Sequence, residues 1–146
     1  MDQKILNLLN SYLSHEPEAI VFLQAYSAYI HAVDDIIDEK ITEEEKILKA
    51  FGRALYLYSS NFYVKNSTSL FPLLLSIHND YADSIKMEHS SEEWQKKTAD
   101  VLRLGGFKVT LTVVGLVAGY DAMREVSMMM RKYAYDMHHN SEGKSI

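Results

Sequence analysis

The chain has 146 residues, of which 47% are hydrophobic and two are prolines, a composition typical of one folded domain. Its formal net charge of −5 gives no overall basic character that would attract nucleic acid or anionic lipid. The absence of cysteine excludes disulfides, thiolate nucleophiles and cysteine-ligated zinc, and it is consistent with a reducing cytoplasm.

Two segments of the sequence indicate whether the protein is secreted or inserted in a membrane. The N-terminal sequence MDQKILNLLNSYLSHE lacks the basic start, long apolar stretch and cleavage site of a signal peptide. The most apolar run, Val109–Ala118, is shorter than the ~20 residues that span a bilayer, and it contains Thr110 and Thr112. We therefore expect a soluble, cytoplasmic protein with no nucleic-acid or membrane partner.

Apolar periodicity predicts two helices in the first 39 residues. The first has apolar side chains at i, i+3, i+4 and i+7 spacing: Ile5, Leu8, Leu9 and Tyr12. The second opens at Pro17, a residue tolerated in a first helical turn, and extends to about Glu39. Its predicted core contacts are Ile20, Leu23, Ile30 and Ile37.

A third predicted helix begins at a capping-box pattern formed by Thr42 and Glu45. One of its faces is apolar: Ile47, Leu48, Phe51, Leu55 and Tyr58. The polar stretch Ser59–Ser69 predicts a loop, from which Phe62 and Tyr63 could point inward. A fourth helix starts near Ser69 and extends to about Glu88, with Pro72 in its first turn.

Ser90 and Glu93 repeat the capping-box spacing and predict the start of a fifth helix. This helix either continues through Gly105 and Gly106 to about Gly119 or breaks there, because two adjacent glycines cost roughly 2 kcal/mol relative to alanine. Asp121 is predicted to cap a last helix.

The last helix is predicted to end near Tyr135. No strand alternation is present, so the fold class is all-α. Residues 1–137 would form a single domain, a helical bundle of about five to six helices. The polar residues 138–146 would form a flexible tail.

The first candidate site is an acidic cluster within nine residues of an otherwise apolar helix, from His31 to Glu39. At 100° per residue, His31, Asp35 and Asp38 fall within about 60° of one another, with Asp34 at one edge. Like charges on one helical stripe repel, and a divalent cation is the simplest group that stabilises them. The alternative is a solvated acidic surface. His31 would ligate the metal, carry a proton or donate a hydrogen bond to Asp35.

A second polar cluster lies on the fourth predicted helix, where Asn79 and Asp83 are one turn apart, as are Asp80 and Ser84. Ligand sites in helical bundles are built from inward side chains of facing helices. Oxygen ligands favour Mg²⁺ or Mn²⁺, which keep several waters and accept phosphate oxygens. The predicted metal ligands are Asp34, Asp35, Asp38, Asn79, Asp80 and Asp83.

Catalytic and substrate contacts follow from the same clusters. The candidate catalytic carboxylates are Asp35, Asp38 and Asp83, one of which would orient a metal-activated water. The candidate substrate contacts are Ser84, Lys86 and Arg103, with the two cations offsetting phosphate charge. No glycine-rich phosphate loop, His-Glu-x-x-His zinc motif or Gly-x-Ser-x-Gly elbow is present.

The segment Asp34-Asp35-Ile-Ile-Asp38 resembles the Asp-Asp-x-x-Asp motif of class I isoprenoid and terpenoid synthases. In that family the motif holds Mg²⁺ against a substrate diphosphate. The stripe of Asp80, Ser84 and Glu88 is similar in spacing to the second metal motif of terpenoid cyclases. Asn79-x-x-x-Asp83 resembles the second acidic motif of squalene and phytoene synthases.

Asp35-x-x-Asp38 and Asp80-x-x-Asp83 also resemble the Glu-x-x-Glu and Glu-x-x-Asp pairs of all-α nucleoside-triphosphate pyrophosphohydrolases. That family consists of short helical bundles, usually dimers or tetramers, so the resemblance implies a homo-oligomer. The Met128–Met130 run marks either core packing or an oligomer contact.

The leading hypothesis is a Mg²⁺-dependent hydrolase of a phosphoanhydride, such as a nucleoside triphosphate. One alternative is a protein that binds or ionises an isoprenoid diphosphate. The other is a non-catalytic helical interaction protein whose acidic stripe meets a basic partner.

Overall fold

The structure, a computed structural model, describes residues 3–39 and 42–142. These residues form helices and contain no strand, which confirms the all-α prediction. The helices are α1 Gln3–Leu13, α2 Pro17–Ile37, α3 Glu44–Ser59, α4 Asn61–Glu88, α5 Glu93–Arg103, α6 Phe107–Ala118 and α7 Tyr120–Glu142. A 3₁₀ turn, Leu104–Gly106, joins α5 to α6.

The chain divides into two compact units, Met1–Ser67 and Thr68–Ile146. Helix α4 contributes to both, and its backbone leaves helical geometry at Asn66, with φ −116° and ψ 18°. The Asn66 side chain donates a hydrogen bond to the Phe62 carbonyl at 2.9 Å, a local bond of the kind that competes with the helical ladder.

The core of the first unit is formed where α2 packs against α1, α3 and the start of α4. Its fully buried side chains include Leu9, Leu13, Phe22, Leu23 and Leu57. The Phe22 ring lies 5.6 Å from that of Phe62 and 6.4 Å from that of Tyr63, between centroids.

The predicted loop over Ser59–Ser69 is wrong, because α4 already begins at Asn61. Glu18 on α2 accepts hydrogen bonds from Asn61 at 3.0 Å and from Lys65 at 2.7 Å. With Phe62 buried against Phe22, tertiary contacts hold a helix that the polar sequence does not favour by itself.

Both predicted capping boxes are also wrong. The N-cap residues are Glu43 for α3 and Glu92 for α5, neither with a side-chain cap bond. The Thr42 hydroxyl instead donates to the Ile36 carbonyl at 3.3 Å, and the Ser90 hydroxyl accepts from the Glu92 N–H at 3.1 Å. These hydroxyls stabilise the connections before the helices.

Helix α3 buries only two of its residues and leaves several large apolar side chains exposed. Its buried residues are Ala50 and Leu57, whereas Leu48, Phe51 and Leu55 are 70%, 66% and 74% exposed. We call one stripe of exposed apolar residues the outer face of α3: Ile47, Leu48, Phe51, Leu55 and Tyr58. Tyr56 is also exposed but lies about 100° around the helix from Leu55. The short Ala50 side chain lets α3 pack closely on α2.

The second unit is built on a hairpin of α6 and α7. Val113 and Val114 of α6 and Val126 of α7 are fully buried. Gly119 joins the two helices with φ +90°, a conformation that side-chain-bearing residues rarely adopt. From α4, this unit buries Leu70, Leu74 and Ile77.

Several predicted boundaries in this unit differ from the structure. Pro72 lies inside α4 rather than in a first turn, and Asp121 lies in the first turn of α7 rather than at its cap. Gly105 and Gly106 form a 3₁₀ turn, so the stretch from α5 to α6 stays helical. Helix α7 extends to Glu142, so 138–142 are helical, whereas 143–146 lie outside the described residues.

Within the described residues, one continuous helical stretch, Glu93–Ala118, is long and apolar enough to cross a membrane by length and composition. In its most apolar window, 33% of the residues are buried in the protein. Core helices of soluble proteins meet the same criterion. The absence of a membrane partner therefore stays a prediction.

Candidate functional site

The acidic cluster lies at the C-terminal end of α2. Asp34 and Asp35 occupy its last turn, which contains no basic residue, and Asp38 is the C-cap, with its N–H bonded to the Asp34 carbonyl. Carboxylates are unfavourable here because the free carbonyls at a helix C-terminus already carry partial negative charge. The α2 end therefore concentrates negative potential.

Among the described residues of the first unit, one cation lies against this end. Lys46 of α3 forms an ion pair with Glu39, and this hydrogen bond raises the pKa of the Lys46 ammonium. The carboxylates of Glu43 and Asp35 contribute further to the same pKa shift, which places Lys46 in the field of the acidic cluster. A single ammonium group offsets only part of this charge.

The cluster has a buried and an exposed side. Asp34 is half-buried and close to Tyr26, whose pKa is raised mainly by burial and slightly by this carboxylate. Asp35 and Asp38 are exposed, and neither carboxylate forms a hydrogen bond or a short ion pair within residues 3–39 and 42–142. The two exposed carboxylates are therefore open to an ion from solvent.

His31 is exposed, and the hydrogen bond expected from it to Asp35 is absent from the described part of the chain. Among the described residues, no group of three or more histidine, cysteine or acidic side chains is arranged to hold a metal ion. The α2 end thus presents a pair of carboxylates rather than a complete coordination shell.

Two acidic residues of the second polar cluster, on the fourth helix in the other unit, form ion pairs with neighbouring helices. On α4, Asp80 lies 3.6 Å from the Lys108 ammonium, and Glu88 lies 3.1 Å from the Arg103 guanidinium. Ser84, between these carboxylates on the same helical stripe, is fully buried and donates a 2.6 Å hydrogen bond to the Tyr81 carbonyl. The stripe joins α4 to α5 and α6.

The other residues predicted from this cluster lie at its edge. Asp83 accepts a 3.3 Å hydrogen bond from Asn79, one turn earlier on α4. Lys86 is exposed, whereas the Arg103 side chain is 22% exposed and lies 5.8 Å from the centre of the Tyr81 ring. Arg103 is therefore turned inward, and the Ser84 hydroxyl is closed to solvent.

The six predicted metal ligands are divided between the two units. Asp34, Asp35 and Asp38 belong to the first, and Asn79, Asp80 and Asp83 belong to the second. Their joint coordination of one metal stays a prediction.

Sequence reasoning missed one polar pair of the second unit. His138, assigned to a tail, lies on α7 with a side chain 15% exposed, 3.7 Å from the Asp100 carboxylate of α5. The His139 ring stacks on Tyr135 at 3.8 Å between centroids. The i, i+4 spacing of Tyr135 and His139 is the sequence signal that continues the helix.

No protein-family model, curated protein or solved structure matches this chain. The similarities to isoprenoid synthases and to all-α pyrophosphohydrolases therefore rest on the short acidic motifs alone.

Proposed function

We propose that the protein is a Mg²⁺-dependent hydrolase of a phosphoanhydride in which Asp35 and Asp38 bind the metal. The observation that carries the proposal is the pair of exposed carboxylates at the negative end of α2, which have no hydrogen-bonding partner within the described residues. A cation at this end would relieve both the mutual repulsion and the unfavourable interaction with the helix dipole.

Two carboxylates are a sufficient protein contribution for this ion. Mg²⁺ dehydrates reluctantly, keeps several waters, and is usually bound through one or two carboxylates together with substrate phosphates. Bound in this way, it would polarise a phosphoryl oxygen and lower the pKa of a coordinated water. The incomplete coordination shell on α2 leaves room for these waters and phosphate oxygens.

We assign the metal to the end of α2 rather than to the α4 cluster, because the carboxylates on α4 already have partners. Asp80 and Glu88 already have Lys108 and Arg103 as partners, and Asp83 is bonded to Asn79. A metal at α4 would have to replace these contacts. Lys46, next to Glu39 and Asp35, is the nearest described candidate for offsetting phosphate charge at the α2 end.

The test is a Mg²⁺ and Mn²⁺ titration by calorimetry, together with phosphate release from a panel of nucleoside triphosphates and prenyl diphosphates. We expect Asp35→Asn and Asp38→Asn each to weaken ion binding at least tenfold and to abolish metal-dependent turnover, with helicity by circular dichroism unchanged. Asp121→Asn, at an exposed aspartate of α7, is the matched control and should behave as the wild type.

Ion binding that is equal in wild type and both α2 variants would overturn the assignment. Turnover of prenyl diphosphates alone would favour the isoprenoid alternative. A wild type that binds neither ion would favour the non-catalytic interaction protein.

A further inference from the structure

We propose that the outer face of α3 is the interface of a homodimer, in which two copies of α3 pack antiparallel across a two-fold axis. The proposed interface involves neither the acidic cluster nor a metal ion. It starts from three adjacent large side chains, Leu48, Phe51 and Leu55, each about two-thirds or more exposed.

The area of this face favours a protein partner. Taking about 200 Å² for a fully exposed large side chain, the exposed fractions of the five outer-face residues amount to roughly 600 Å² per chain. This is at the top of the range for the largest apolar patch on a monomer, ~300–600 Å². Two copies would together bury about 1,200 Å², the lower end of stable specific interfaces.

The order of residues on this face suits a second copy of the same chain. A two-fold interface requires a surface that is complementary to itself. Leu48 and Leu55 lie symmetrically about the midpoint between Phe51 and Gly52. In an antiparallel pair, Leu48 of each copy therefore faces Leu55 of the other copy. Leu48 and Leu55 therefore form a self-complementary pair at the centre of the outer face.

Gly52 supports a close approach at the two-fold axis. It lies in the middle of α3, where glycine costs about 1 kcal/mol relative to alanine in a helix, and a Cβ built on it would meet no atom within 4 Å. The fold of one chain therefore does not require glycine at this position. At a helix–helix crossing, the missing side chain lets the two backbones approach.

Two cations of α3 lie outside its outer face. Lys49 and Arg53 are exposed and, at 100° per residue, lie more than about 100° around the helix from Leu55. The apolar centre of the face therefore contains neither cation, in agreement with interfaces that have an apolar core and a charged periphery.

The first test is sedimentation equilibrium of the full chain between low and high micromolar concentration. We expect a wild-type dimer and at least a tenfold weaker association in Leu48→Glu/Leu55→Glu. The matched control, Val101→Glu/Met128→Glu, changes two equally exposed apolar residues of the other unit and should leave the dimer intact. Circular dichroism confirms that each variant is folded.

The second test addresses the geometry through a short bis-maleimide cross-linker, because the chain has no cysteine of its own. Phe51→Cys, next to the two-fold axis, leaves Gly52 in place and should cross-link to its copy, whereas Arg53→Cys, about 160° around the helix from Leu55, should not. Equal cross-linking of both variants, or of neither, would overturn the antiparallel pairing.

A wild type that stays monomeric throughout the concentration range would overturn the dimer. Flotation with lipid vesicles that is lost in Leu48→Glu/Leu55→Glu and kept in Val101→Glu/Met128→Glu would assign the face to a membrane surface instead. A dimer lost in the Val101→Glu/Met128→Glu control and kept in the α3 variant would move the interface to the other unit.

Discussion

Tyr26 shows how one buried side chain makes the stability of this protein depend on pH. Its hydroxyl is buried in α2, and burial raises its pKa above the value of about 10 that an unfolded chain would have. Tyrosine is neutral below its pKa, so the folded protein keeps this proton to higher pH than the unfolded chain. Stability is therefore retained below pH 10 and declines as the pH rises beyond it.

We predict that the free energy of unfolding, measured by urea titration between pH 8 and 11.5, falls above pH 10. Tyr26→Phe should make the fall shallower, because the unfolded chain then loses one fewer proton. The fall should not vanish, since half-buried Tyr58 also has a raised pKa. Tyr120→Phe, at an exposed position, should leave the pH dependence unchanged. Equal slopes for wild type and Tyr26→Phe would contradict the prediction.

The periodicity of apolar residues predicts where the helices lie along the chain, but it does not predict what packs against each helix. The apolar spacing from Ile47 to Tyr58 predicts an amphipathic α3 correctly. It does not reveal that α2 contacts the opposite side, where Ala50 and Leu57 are buried. Likewise, the two aromatic residues after Ser59 indicate an inward Phe62, but the sequence does not reveal that it packs on Phe22, 40 residues earlier. Long-range packing determined both outcomes.

The junction between α6 and α7 depends on a single glycine. Gly119 has φ +90° and ψ 178°, a region that is essentially restricted to glycine. We predict that Gly119→Ala destabilises the protein by about 1–3 kcal/mol in urea denaturation, because alanine is strained in this backbone conformation. Gly105→Ala is the control: its Cβ would lie 4.0 Å from Ile77 Cγ2, an ordinary contact, in helical backbone. The two variants losing equal stability would contradict this account.

The sequence predicts the charged clusters but not the side chains that pair with them. The two acidic stretches were found from residue type and spacing alone. The pairing of Asp80 with Lys108 and of Glu88 with Arg103 depends on how α4 is rotated against α5 and α6, and no local pattern encodes that rotation. As a result, one cluster has internal partners and the other keeps two exposed carboxylates, a distinction on which the proposed metal site depends.

The same pairing bears on whether the apolar stretch Glu93–Ala118 enters a membrane. Its two inner cations, Arg103 and Lys108, are bound to carboxylates of α4, so insertion would either break both ion pairs or draw Asp80 and Glu88 into lipid. Charged side chains at the centre of a membrane helix cost about 2.5–3.5 kcal/mol each.

We predict that the full chain stays in the aqueous fraction during vesicle flotation. Arg103→Leu/Lys108→Leu removes both charges and should increase flotation, because the apolar run then has no charged residue from Val101 to Ala118. Flotation of the wild type to the same extent as this variant would show that the ion pairs do not oppose insertion.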